Sequence, residues 1–110
     1  MPKYLIQGSY TEEGLKGFLK EGGSKRMEES KRAIKAIGGT LETYYFAFGD
    51  YDYCLILDLP DNVTSAAVTL VTNASGTIKN RTTVLITPEE MDQAVDKAVK
   101  AAGDYRPPGR

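Results

Sequence analysis

Histidine and tryptophan are absent from this sequence, and cysteine occurs once, at Cys54. Without imidazole there is no Ser-His-Asp triad, no His-ligated haem and no zinc site built on histidine. A single thiol excludes an intrachain disulfide framework and fits a reducing compartment. A charge excess is lacking too: 14 Lys and Arg stand against 15 Asp and Glu, a net charge of −1. Such a chain offers no electrostatic footprint for nucleic acid. No apolar run approaches the roughly 18 residues that a membrane span needs. The opening MPKYLIQGSY has neither the apolar region nor the small-residue cleavage site of a signal peptide. Three Asn-x-Ser/Thr triplets, beginning at Asn62, Asn73 and Asn80, therefore read as chance matches to a glycosylation pattern. The expectation is a cytoplasmic protein with no membrane or nucleic-acid partner, no cofactor and no metal.

What is present is an ordinary globular composition: 110 residues, 41% hydrophobic and 26% charged. That length suits one domain burying roughly two thirds of its unfolded surface. We expect the domain over residues 1–103 and a frayed tail over 104–110. Lys3 to Tyr10 reads as a strand. Thr11 caps a short helix with Glu12 and Glu13 in its first turn and Leu15, Phe18 and Leu19 at helical spacing. Gly22-Gly23 breaks it, and Ser24 is placed to cap a second helix, Lys25 to Ile37, which Gly38-Gly39 ends. Thr40 to Phe48 and Tyr53 to Leu59 read as an antiparallel hairpin about Gly49-Asp50-Tyr51-Asp52, with Gly49 supplying positive φ. Pro60 stops the second strand, and Asp61 caps a helix. Its predicted core face is Val63, Ala66, Ala67, Leu70, Val71 and Ala74. Thr77 to Ile86 alternates as a fourth strand. Thr87-Pro88-Glu89-Glu90 then combines a capping box with proline at the first helical position. The last helix carries Met91, Ala94, Val95, Ala98 and Ala102 on one stripe.

This order, strand-helix-strand-strand-helix-strand with a C-terminal helix, is the signature of an α+β, ferredoxin-like βαββαβ sandwich with a four-stranded antiparallel sheet. Right-handed crossovers put both main helices on one sheet face. With Asp50-Tyr51 at the turn, Phe48, Phe46 and Tyr44 face Tyr53, Leu55 and Leu57 towards the helices. The other face pairs Ala47 with Cys54, Tyr45 with Ile56 and Thr43 with Asp58. It is more apolar than a solvated sheet face usually is, so we expect a second subunit or a ligand to cover it.

The segment Gly49-Asp50-Tyr51-Asp52, followed by Leu59-Pro60-Asp61, carries a resemblance to the GYD-domain family of small bacterial and archaeal proteins. Tyr10-Thr11-Glu12-Glu13-Gly14, the Gly38-Gly39 helix stop and Gly76-Thr77-Ile78 extend the likeness over roughly Tyr4 to Glu90. The resemblance implies a ferredoxin-like fold similar to dimeric α/β barrels, which pair two such sheets, and it implies no particular activity. The Lys20-Glu21-Gly22-Gly23-Ser24-Lys25 stretch is longer and more broken than in that pattern.

Chemistry, on this inventory, has to run on carboxylate and phenol. Asp58 interrupts an apolar strand and needs a cationic partner, with Arg81 and Lys79 as the candidates, or a ligand. Asp52 and Asp50 flank Tyr51 and can act as an acid–base pair or simply bond backbone in the turn. Asp58 and Asp52 are the candidate catalytic groups; Tyr45, Thr43, Tyr51, Cys54 and Arg81 are the candidate ligand contacts. Tyr10, Tyr44 and Tyr45 can also line a pocket, each pairing an apolar ring with a hydroxyl. Three readings of function follow. The leading one is a homodimer or larger homo-oligomer holding a small apolar or aromatic molecule between paired sheets. A cofactor-independent enzyme of isomerase or monooxygenase type is the second, and a purely structural assembly subunit the third.

Overall fold

A computed structural model describes residues 1–110. The chain runs β1 (Lys3–Tyr10), α1 (Glu12–Glu21), α2 (Gly23–Ala36), β2 (Thr40–Phe46), β3 (Tyr53–Asp58), α3 (Asn62–Ala74), β4 (Ile78–Leu85) and α4 (Pro88–Ala102). The sheet order is β2-β3-β1-β4, antiparallel throughout. This is the ferredoxin-like α+β arrangement that the order of elements predicts.

Local chemistry sets most boundaries. Thr11 accepts a hydrogen bond from the Gly14 amide at the start of α1, and Asp61 does the same for Thr64 at the start of α3. Thr87 and Glu90 form the full capping box of α4. Gly22 (φ 83°) and Gly38 (φ 85°) take the left-handed turns that end α1 and α2, a conformation costly for any residue with a Cβ. Ser24 does not cap α2. Gly22 occupies that position and the helix starts at Gly23 without a side-chain cap.

The hairpin departs from expectation in register. Phe46 stands opposite Tyr53, Tyr44 opposite Leu55 and Tyr45 opposite Cys54, a slip of two residues from the predicted pairing. An even slip preserves parity, so the residues that remain paired keep their predicted faces, while Phe48, predicted to face the helices, leaves the strand. The connection is a wide loop closed by the Ala47 amide on the Asp52 carbonyl at 2.8 Å. Gly49 lacks a positive φ, and Phe48 projects fully into solvent. A bulge at Glu42 shifts the far end of β2, bringing Leu41 opposite Leu57.

The core is one cluster on the helical side of the sheet: Tyr4, Ile6, Ile34, Tyr53, Leu55, Leu57 and Leu59. The face of α3 is the main reversal. Thr64, Ser65, Val68, Thr69 and Thr72 turn towards the sheet, while Val63, Ala66, Ala67, Leu70, Val71 and Ala74 are exposed. A polar seam holds the helix this way. Thr69 shares a hydroxyl contact of 2.8 Å with Thr82, and Tyr4 donates to Asn62 at 2.6 Å. Asn73 accepts from the Asn80 amide at 2.8 Å and donates to its carbonyl at 3.2 Å. Those two bonds also satisfy the backbone of Asn80 on the open edge of β4. The Leu57 side chain has no exposed surface. Leu57→Ala is expected to cost about 3 kcal/mol of stability, read as a lower urea midpoint at unchanged m-value.

Candidate functional site

The helical layer is split. The α1–α2 pair sits over β2, α3 sits over β4, and α2 and α3 scarcely touch. Between them lies an open cleft of about 950 Å³ with the middle of the sheet as its floor. Ile6 and Leu55 pave that floor, Ile34 and Phe18 form one wall, and Val68 and Val71 form the other. Cavities of this size and character are typical of small-molecule sites.

One end of the cleft is aromatic. Tyr10 packs 5.1 Å from Phe18 and 5.4 Å from Tyr53, centroid to centroid. Phe18 lies 5.1 Å from Phe46, and Tyr44 lies 5.2 Å from Phe46 and 6.5 Å from Tyr53. Gly8 makes room for the arrangement, since a Cβ there would stand 2.6 Å from the Asn80 Cβ. Burial pushes the phenols of Tyr10, Tyr44 and Tyr53 above the usual tyrosine range. Like any tyrosine at neutral pH, they are protonated and can donate hydrogen bonds. Beside them Asn80 donates to Thr72 Oγ1 at 3.2 Å and to Tyr53 Oη at 3.4 Å. Its Oδ1 is buried without a partner. Arg26, at the cleft mouth, is neutralised by Glu21 at 3.3 Å. The aromatic end therefore offers neutral polar groups set in an apolar surround, while Glu13, Lys20 and Lys25 add charge elsewhere along the lining.

The model of the GYD domain matches residues 4–95, most of the chain. This protein belongs to the GYD domain family. No curated protein and no solved structure matches it. In this GYD domain the Gly49–Asp52 segment lies in the β2–β3 loop, and its side chains serve the sheet. Asp52 Oδ2 accepts from the Tyr10 amide at 2.9 Å, and the Asp52 amide donates to the Gly8 carbonyl at 2.8 Å. The Arg81 guanidinium lies over the Tyr51 ring at 5.7 Å.

Asp58 faces the side of the sheet away from the helices. Its partner is Lys3, at 3.1 Å, and not Arg81 or Lys79; Lys3 also reaches Glu42 at 3.1 Å. The two carboxylates raise the Lys3 pKa through those hydrogen bonds. Thr43, Tyr45, Cys54 and Arg81 share this back face by strand register. The structure thus brings Asp58, Thr43, Tyr45 and Cys54 onto one surface, leaves Asp52 at the end of β1, and puts none of them in the cleft. Of the three tyrosines able to line a pocket, Tyr10 and Tyr44 border the cleft, and Tyr45 points the opposite way. Tyr53, Asn80 and Gly8 were missed as site residues. An amide in the otherwise apolar-and-hydroxyl row Ile78, Asn80, Thr82, Val84 was the signal that marked the place.

The enclosed phenols have a measurable consequence. A tyrosine whose folded pKa is raised contributes stability that is intact below its ordinary value of 10.0 and lost as pH climbs through the raised one. Alkaline titration at the phenolate absorbance should show late-ionising tyrosines, with one fewer in each of Tyr10→Phe, Tyr44→Phe and Tyr53→Phe. The urea midpoint should fall above pH 10. A single transition near 10.0 for all 7 tyrosines would contradict the enclosure.

Proposed function

We propose that this GYD domain is a small-molecule-binding module that takes an uncharged, flat or aromatic ligand in the cleft between α1–α2 and α3. The carrying observation is the 950 Å³ opening itself, closed at one end by phenols that stay protonated and by an amide oxygen with no partner. Such a site rewards a ligand that stacks on the rings and places one donor and one acceptor at Asn80 and Tyr53. The carboxylates of Asp52 and Asp58 are committed to backbone and to Lys3, outside the cleft. Binding is therefore favoured over acid–base turnover.

The uncovered back face supports a second reading, in which two copies pair their sheets as a dimeric α/β barrel and hold the ligand between Tyr45, Thr43 and Cys54. Leu5, Ile56 and Leu85 are half-buried there with no helix over them. One experiment separates the two sites. N-phenyl-1-naphthylamine, uncharged and fluorescent in apolar surroundings, should bind the protein. Ala33→Trp, at an exposed position on the cleft wall, should weaken it at least tenfold, Tyr53→Phe should weaken it roughly 5-fold, and Ile56→Glu should leave it unchanged. Loss of binding in Ile56→Glu with retention in Ala33→Trp would move the site to paired sheets.

A further inference from the structure

Two helical surfaces have no partner within the chain, and they match. The outward stripe of α3 is Val63, Ala66, Ala67, Leu70 and Ala74, with Val63 79% and Leu70 72% exposed. The α4 stripe is Met91, Ala94, Val95, Ala98 and Ala102, and every residue of that helix is exposed, Val95 to 52%. Both stripes fall at i, i+3, i+4, i+7 and i+11, the spacing of one helical face. Both helices run for roughly 20 Å at 1.5 Å per residue. Alanines on each side permit close approach, and Leu70, Met91 and Val95 are the protruding side chains.

Charge points the same way. The 13 residues of α3 include no Asp, Glu, Lys or Arg, which is unusual for a helix whose outer face meets water. Covering that face desolvates no ion. Of the six charged residues of α4, Glu89, Asp96 and Lys100 lie opposite the stripe, and Glu90, Asp92 and Lys97 flank it, at the rim of such a contact.

The α4 helix cannot reach the stripe on its own α3. Two residues, Ile86 and Thr87, separate β4 from α4, and three Cα steps span at most about 11 Å. A helix lying outside α3 has its axis roughly 16–20 Å above the sheet, counting 8–10 Å per helical layer. The shape agrees: the radius of gyration is 17.7 Å, against roughly 13 Å for a compact chain of this length. The accessible surface is 7972 Å², about 2,000 Å² more than a folded monomer of this mass usually keeps. An interface of ordinary size needs about 800 Å² from each partner, and obligate dimers use more.

We infer that α4 is an exchanged arm: it lies along the outward α3 stripe of a second copy of this chain, and that copy's α4 returns the contact. The inference stands apart from the cleft reading: Ala67 is the one stripe residue on the cleft wall, and neither stripe contributes a contact to the aromatic end. Light scattering on the full chain should give twice the 12.0 kDa monomer mass. Leu70→Glu and Ala98→Glu, both at exposed positions, should each return it to a monomer with an unchanged circular dichroism spectrum. In a Cys54→Ser background, equimolar Leu70→Cys and Ala98→Cys chains should form the mixed disulfide on oxidation. A monomeric wild-type protein overturns the proposal. So do charged variants that remain dimeric, which would place the contact elsewhere, such as on the back faces, and disulfides formed only between like chains.

Discussion

The Tyr53 side chain is where the two halves of the helical layer meet, and the rest of the molecule is arranged around keeping it there. Its ring packs with Tyr10 and Tyr44, part of the cluster under α1 and α2. Its hydroxyl reaches Asn80, which belongs with the seam under α3. Aromatic pairs contribute about 0.5–1.5 kcal/mol each beyond the area they bury. The ring cluster is thus a strong local attachment that pulls α1 and α2 towards β2. The absence of a side chain at Gly8 lets the Tyr53 hydroxyl lie across β1. Because each helical group has its own attachment, neither needs the other, and the cleft between them is the result.

Polar satisfaction, more than hydrophobicity, orients α3. An edge strand leaves backbone donors and acceptors open, and one buried amide without a partner costs about 1–3 kcal/mol. Asn73 supplies both bonds to residue 80 of β4, while Thr69 and Thr72 place hydroxyls where Thr82 and Asn80 need them. Turning the apolar stripe inward would forfeit this set. The helix therefore keeps its hydroxyl face down and carries most of its hydrocarbon outward.

Much of this was legible in the residues. Strand alternation placed Tyr44, Phe46, Tyr53, Leu55 and Leu57 on one face, and that held through a two-residue change of register because parity survived the slip. Caps at Thr11, Asp61 and Thr87 located three helices, since each is a local bond between residues three apart. The α3 face was not legible from the apolar spacing of Val63, Ala67, Leu70 and Ala74. That spacing says which residues share a side and nothing about which side meets the sheet. The partner of Asp58 was missed for a similar reason: Lys3 lies 55 residues away, and only the β1–β3 register brings them opposite. The cleft depends on two helices failing to touch, a long-range property with no local signature.

The two uncovered surfaces of the molecule differ in what it costs to dry them. The back face carries Lys3 bonded to Asp58 and Glu42, along with Lys79 and Arg81. Pressing it against a second sheet requires those ions to be re-partnered or left at a wet rim, because a buried pair recovers its desolvation only with excellent geometry. The α3 stripe carries no ion at all, so its burial returns hydrophobic free energy without that offset. Ala67, within the stripe, and Val71, beside it, also form part of the cleft wall. A helix from a second copy laid on the stripe would stiffen that wall from behind. Assembly and ligand occupancy would then share one element, and each would favour the other by the same coupling free energy.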